Sequence, residues 1–489
     1  MLPAAIGALA LALRLYGLGS KPFWLDEIAS AHRATASIPD LVADSLHNGH
    51  YPTYFLLLWL IARVGASQFL LRLPSAIFGA ACASLTCMIG RRVGGARSGA
   101  VAGLFVALSP FEVQFGQEAR PYTLVALLVL TALWGLVRLA QDPAAAAVPL
   151  WRRGGLRGAW LAFGLGTAAA LAVLNVAVPW LIAANLGAIA IAGGAGEAKR
   201  SFWRNWGLVQ LAVLAVWVPM FAAVYVARHG ALLDAIAWAP ATSAKRIWSI
   251  VAAVYFLRIA KFITIGLAPV VVPGLPIAVG ALAALGLWHL RHDRRLLAVL
   301  SCAAFVLPLS LGLVSVFVPL MVPRYFAWGG APLFVLAGIG FGRLSGVRFA
   351  VPAIAAAALG LVNLLPYYGY ETKPRWDEAA SELATVARPG DMVLLNSYYA
   401  KYVLSAFAAR AGLHPDQVRL TWSLPDAMQR QPGRDLWVIY GRTGQVMPQS
   451  LAEFRKSLAP LGEPLTETPI GRYIVLWHFA EPEHANSGT

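Results

Sequence analysis

The chain has 489 residues, of which 59% are hydrophobic and 13% charged, and its mean hydropathy is +0.65. An ordinary soluble domain is about 25% charged, so a purely soluble globular protein is excluded. Twelve Lys/Arg and 13 acids follow residue 366, leaving 27 basic and 10 acidic residues before it, so the net charge of +16 belongs to the apolar part and reports membrane topology and anionic headgroups, not nucleic acid.

Apolar runs recur from the N-terminus to residue 366 and then stop, which predicts a polytopic helical membrane domain over 1–366 and a soluble domain over 367–489. Basic clusters mark the cytoplasmic side: Arg91–Arg92–Arg97, Arg152–Arg153–Arg157, Lys199–Arg200–Arg204, Arg291–Arg294–Arg295 and Arg343–Arg348. Spans consistent with them run at roughly 1–19, 69–90, 98–115, 121–140, 157–174, 176–195, 206–227, 268–290, 296–319, 326–343 and 348–366. That is about 11 transmembrane helices. The first run lacks a small-residue cleavage site and reads as a retained helix, not a signal peptide. An odd count with the N-terminus inside puts everything after residue 366 outside.

Two apolar stretches break the parity. YPTYFLLLWLIARVG, from Tyr51, is too short to cross, and Ile247–Ile265 is interrupted by Arg258 and Lys261. Both are expected to lie on the external face. The threading sorts the acids: Asp26, Glu27, Asp40, Asp44, Glu112, Glu118 and Asp234 fall outside with His32, His47 and His50, whereas Asp142, Glu197 and Asp293 fall inside. Chemistry is therefore sought on the external face. Cys82, Cys87 and Cys302 lie in apolar runs without metal-ligand spacing and read as packing residues.

After residue 366, PGDMVLLN, VRLTW, DLWVIYG and YIVLWHF read as short strands, with helices at Tyr398–Arg410 and Ser450–Leu458. A small external α/β domain follows from this, with a disordered tail after Ala480. It carries no glycine-rich phosphate loop, no G-x-S-x-G and no Cys/His cluster.

Three external stretches carry candidate chemistry. In FWLDEIASAHRA, Asp26 and Glu27 would project about 100° apart on a helix, so one can face a cavity while the other pairs or binds metal. A carboxylate in a partly dry cavity has a raised pKa and can act as a general base; alternatively both acids stabilise the first turn of a helix over Glu27–Ala36. In SPFEVQFGQEARPY, Glu118 and Arg120 could contact a sugar or phosphate, or form an interfacial ion pair beside Tyr122 as an aromatic belt anchor. In VPRYFAWGGAP, Arg324 offers a planar fork for phosphate and Tyr325 a hydroxyl; the alternative is a snorkelling arginine. NGHYPTYF adds His50 and Tyr54, and Arg14 near the external end of the first span either snorkels or reaches a lipid phosphate. Asp26, Glu27, His32 and His50 are oxygen and nitrogen donors for a divalent metal, but at no recognisable spacing, so a metal is left unassigned.

Taken in order, LRLYGLGSKPFWLDEIASAHRA, GHYPTYFLLLWL, FLLRLPSAIFGA, SPFEVQFGQEARPYTL and PRYFAWGGAP resemble the integral-membrane GT-C glycosyltransferases. The likeness is to the bacterial branch related to protein O-mannosyltransferases and lipid A aminoarabinose transferases. It covers roughly residues 1–366 and is strongest over the first 125. The resemblance implies a multi-pass enzyme of the bacterial inner membrane, one of cell-envelope glycan or lipopolysaccharide modification. It would move a sugar, with inversion, from a polyprenyl-phosphate donor to a lipid, glycan or protein acceptor on the periplasmic face. It implies that Asp26 is the base with Glu27 as neighbour, that Glu118 and Arg120 match the acid-bearing second loop, and that Arg324–Tyr325 match the pair meeting the lipid phosphate. His50, Tyr54, Tyr122 and Arg14 remain as further substrate contacts. The family's frequent His-Pro-Pro appears here as His50-Tyr51-Pro52, which departs from the pattern.

Three rival classes share some of these features. A transporter or flippase of lipid-linked saccharide predicts ionisable residues within spans and internal repeats, and the sequence has no repeat. A surface-polysaccharide polymerase or ligase would use the same lipid donor, and a non-catalytic scaffold would make the carboxylates dispensable.

Overall fold

The computed structural model describes residues 1–152, 155–193, 196–231, 239, 242–255, 268–413, 418–429, 431, 433–443 and 450–479, with backbone only at 268–276. Its contacts divide the chain into two compact units: Met1–Leu18 with Arg33–Tyr370, and Gly19–His32 with Glu371–Thr489. Asp26 and Glu27 thus cluster with the C-terminal part of the sequence.

The larger unit is helical. Each of the eleven segments expected to span contains a helix: Leu2–Leu15, Gln68–Gly94, Ala96–Leu108, Tyr122–Gln141, Arg157–Val173, Val178–Ile191, Gly196–Ala227, Ala268–Leu290, Arg294–Val314, Gly330–Phe341 and Val347–Gly369. Among the described residues five of them are long and apolar enough to cross a membrane unaided: Gln68–Gly94, Tyr122–Gln141, Gly196–Ala227, Arg294–Val314 and Val347–Gly369. Ala96–Leu108 and Pro110–Gly116 make a sixth when taken as one path bent by 60°. Gln68–Gly94 and Tyr122–Gln141 are largely buried. Gly196–Ala227 and Val347–Gly369 instead leave Leu211, Val226, Ile354 and Leu365 more than half exposed. Apolar surface on that scale suits lipid, where a helix satisfies its own backbone.

Small residues allow the helices to approach closely. A Cβ added at Gly286 would lie 2.0 Å from the Leu336 carbonyl oxygen, and one at Gly340 would lie 2.1 Å from that of Leu282. Ala268–Leu290 and Gly330–Phe341 therefore touch backbone to backbone through reciprocal glycines. Gly95, at φ +89°, permits the tight turn between Gln68–Gly94 and Ala96–Leu108.

Of the two stretches excluded as spans, the first holds the ten-residue helix Thr53–Ala62 and the second the helix Ala244–Tyr255. Arg258, Lys261, Asp234 and the tail after Ala480 lie outside the described residues. The stretch SPFEVQFGQEARPY is not an open loop. Pro110–Gly116 is a helix whose N-cap Ser109 accepts from the Glu112 N–H at 3.4 Å, and Phe111, Val113 and Phe115 are buried. Ser-Pro ahead of an acid is a helix-start pattern; here apolar burial stabilises a helix too short to persist alone.

In the second unit five strands form a sheet of order β2-β1-β3-β5-β4, with β1 Asp391–Leu395, β2 Val418–Thr421, β3 Leu436–Gly441, β4 Thr466–Ile470 and β5 Ile474–Phe479. β1 pairs parallel with β2 and β3; β5 pairs antiparallel with β3 and β4. Helices Tyr398–Ala408 and Leu451–Ser457 fall where expected, the second closed by a capping box between Ser450 and Glu453. Met392, Leu394, Val438, Phe454, Trp477 and Phe479 share one core. β4 escapes the sequence reading because TETPI is polar and carries Pro469. Such a strand is tolerated at a sheet edge, which is where it lies.

Candidate functional site

In the larger unit, His50 sits between the helix Ile38–His47 and the helix Thr53–Ala62, its N–H donating to the Ser45 carbonyl at 2.8 Å. Its imidazole stands edge-on to Phe55, with ring centroids 6.0 Å apart. Burial, then the positive charges of Arg120, Arg33, Arg324 and Arg228, hold its pKa well below the ordinary histidine value. His50 is therefore neutral at pH 7, among guanidinium groups drawn from four separate parts of the chain. Two of those arginines, Arg120 and Arg324, were singled out from sequence; Arg33 and Arg228 were not.

The four arginines are positioned differently. Arg33 is buried, donates from Nε to Asp44 Oδ2 at 2.6 Å, and covers the Phe55 ring at 4.7 Å. Arg228 directly follows the helix Gly196–Ala227 and donates to the His47 carbonyl at 2.7 Å. Arg324 lies buried in the single turn Pro323–Phe326; Tyr325 beside it is half-buried. Arg120 is buried just ahead of Tyr122–Gln141, its backbone carbonyl accepting from Ser75 Oγ at 3.1 Å, and Ser75 in turn meets the Tyr54 hydroxyl at 3.0 Å. Tyr54 thus supports Arg120 through Ser75. Glu118 is buried and accepts from Gln114 at 3.3 Å.

Two expectations change here. Tyr122 is no belt anchor: it is 2% exposed and packs edge-on against Phe115, with the Arg120 guanidinium 5.7 Å from its ring. Arg14 does not snorkel either. It is fully buried and donates to the carbonyls of Ala10 at 3.1 Å and Val106 at 3.2 Å. Glycines make room for it, since a Cβ at Gly79 or Gly116 would come within 2.6 or 2.7 Å of its Nε. Gln117, missed from sequence, ties this end of the unit together: its amide donates to the carbonyls of Arg14 and Tyr16 at 2.9 and 2.7 Å and accepts from Tyr367 at 2.9 Å.

In the second unit the adjacent acids part company. The helix runs Leu25–Thr35 with both acids in its first turn, where they favour its dipole. Glu27 is fully buried and accepts from Lys373 Nζ at 2.6 Å, while Asp26 is half-buried. Lys21 adds a bond to Thr372 at 2.9 Å. Among the described residues no three His, Cys, Asp or Glu side chains come together as metal ligands would.

Comparison with curated protein sequences gives no match. A family model described as dolichyl-phosphate-mannose-protein mannosyltransferase matches residues 49–192, under a third of the chain. Solved structures match far more of it. ArnT from Cupriavidus metallidurans, bound to undecaprenyl phosphate, is 14% identical, with 97% of each chain covered and a TM-score of 0.57; its apo state gives 16%, 97% and 0.59. The archaeal oligosaccharyltransferase AglB from Archaeoglobus fulgidus, in complex with an inhibitory peptide and a dolichol-phosphate, is 11% identical, with 90% of this chain and 69% of that chain covered and a TM-score of 0.56. The chain has the GT-C fold.

Within the GT-C fold, the family-model match takes in His50, Tyr54, Glu118 and Arg120 and stops short of Arg324. The sequence did hold a signal for Arg33, which closes the same FWLDEIASAHRA segment as Asp26. Attention to scarce acids passed over an arginine in a chain rich in them. Arg228 follows a long apolar helix and carries no motif.

Proposed function

We propose that the protein is a membrane glycosyltransferase that moves a sugar from a polyprenyl-phosphate donor to a lipid, glycan or protein acceptor. The observation that carries this reading is the group of four arginines around an uncharged His50. Sugar transfer with loss of a lipid phosphate builds negative charge on that phosphate, and fixed guanidinium groups in a dry site stabilise it as it forms. Arg324 and Arg120 are assigned to the phosphate, with Tyr325 and Glu118 beside them in sequence as donor-binding residues. The lipid phosphates named with ArnT and AglB support a donor of this class.

Transfer also needs a proton taken from the acceptor hydroxyl as the phosphate departs, and we assign that to Asp26. In-line attack inverts the anomeric centre. Glu27 is assigned a positioning role through its bond to Lys373. Each of these steps is assigned to this chain's own residues, and a divalent metal stays unassigned.

The eleven-span threading, with the domain after residue 366 on the periplasmic face of the bacterial inner membrane, belongs to the same proposal. A reporter fused after residue 370 is expected to read periplasmic, and a cytoplasmic signal overturns the orientation. For the chemistry, lipids and surface glycans are compared by mass spectrometry with and without the protein. One sugar should disappear from one acceptor, and Asp26→Asn should lose about 100-fold or more of the transfer rate at unchanged protein level. Full activity in that variant sinks the base assignment.

A further inference from the structure

The helix Tyr122–Gln141 has Arg120 just ahead of it and Arg138 in its last turn. Their spacing along a helix is roughly 27 Å at 1.5 Å per residue, close to the ~30 Å of bilayer hydrocarbon. The surroundings of Arg138 are thus one bilayer thickness from the arginines around His50.

Two crevices open at that end and share Trp134 as a wall. The larger, about 960 Å³, is lined among others by Arg91, Arg92, Gln141, Asp293 and Leu296. The smaller, about 340 Å³, includes Arg138 and Arg157. Arg92 donates to Gln141 Oε1 at 2.6 Å and lies 5.6 Å from the Trp134 ring, so its fork is held in place. Arg138, four residues after Trp134 and three before Gln141, shares the helix face against which Arg92 lies. Among the described residues no salt bridge joins Arg91, Arg92, Arg138 or Arg157 to a carboxylate. The acid in the wall is engaged elsewhere: Asp293 accepts from the Leu296 N–H at 3.1 Å and caps Arg294–Val314.

Convergent guanidinium groups that lack a carboxylate are complementary to a phosphate. We propose that these two crevices, which share Trp134 as a wall, together bind the phosphate of an anionic membrane lipid, in the leaflet opposite the His50 cluster. A free phosphate offers the same charge, but the crevices open at the ends of the apolar helices Gln68–Gly94 and Tyr122–Gln141, where the proposed threading puts lipid headgroups. Met88, exposed at the rim of the larger one, and Leu296 add apolar surface for glycerol and acyl carbons.

The test is native mass spectrometry of the full chain in neutral detergent, with phosphatidylglycerol, phosphatidylcholine and inorganic phosphate as probes. Wild type should retain phosphatidylglycerol in preference to phosphatidylcholine, and Arg92→Gln/Arg138→Gln should retain roughly tenfold less. Arg92→Lys/Arg138→Lys keeps the charge and should keep most of the lipid. Asp293→Asn retains the helix cap, because Asn caps as well as Asp, and by removing a negative charge should bind the lipid more tightly. That arm decides the matter even where the glutamine pair fails to fold. Equal retention of the anionic lipid by wild type and the charge variants overturns the proposal. So does equal retention of phosphatidylcholine, or full displacement of the lipid by inorganic phosphate.

Discussion

A histidine that stays neutral among four arginines makes stability depend on pH. The pKa of His50 is depressed in the folded protein, while in the unfolded chain it returns to about 6.5. Below that value the unfolded state takes up a proton that the folded state refuses. The stability associated with His50 is therefore present above about pH 6.5 and is lost as pH falls toward the folded pKa. Without ligand, the thermal midpoint of wild type is expected to fall more steeply from pH 7 to pH 5 than that of His50→Gln. Parallel profiles would mean that burial and the arginines do not depress the pKa of this ring.

At the level of elements, one buried ion pair holds the helix Leu25–Thr35 to the segment that opens the C-terminal fold. Lys373 and Glu27 are 346 positions apart and meet at 2.6 Å, both buried. Removing one partner strands a buried charge, whereas replacing both with apolar side chains removes the desolvation cost as well. Glu27→Gln or Lys373→Met should each cost about 3–5 kcal/mol of unfolding free energy, and Glu27→Leu/Lys373→Met distinctly less than either. A double variant as unstable as the two single losses together would make the pair ordinary packing. This bond also separates the roles of two acids that sequence could only offer as alternatives. The pattern gave their helix and its first turn correctly, because local periodicity and capping are local properties. It could not give Lys373, because a contact across the length of the chain leaves no local trace.

The same division holds for the rest of the site. Arg120 and Arg324 were legible because they stand beside prolines at the head of helices, in motifs with an order along the chain. Arg14 and Tyr122 were named, but their surroundings were misread. Composition suggested interface, whereas Gly79 and Gly116 open a buried slot for one and Phe115 covers the other. Arg33, Arg228 and Gln117 act through distant backbone and side-chain partners, which only the folded helices bring within reach.

For the whole molecule, apolar runs sufficed for a helical membrane class of fold, since bilayer thickness fixes helix length. The likeness to ArnT extends over 97% of both chains at 14% identity, so the arrangement of helices persists where most side chains do not. What the retained architecture is for rests on the arginines around His50. Binding of undecaprenyl phosphate to the purified protein in nanodiscs tests this most directly, comparing wild type with Arg120→Gln/Arg324→Gln. Loss of two charge-assisted contacts should weaken binding by about tenfold or more in the variant. Equal affinity in wild type and Arg120→Gln/Arg324→Gln would contradict the assignment of these arginines to a lipid phosphate.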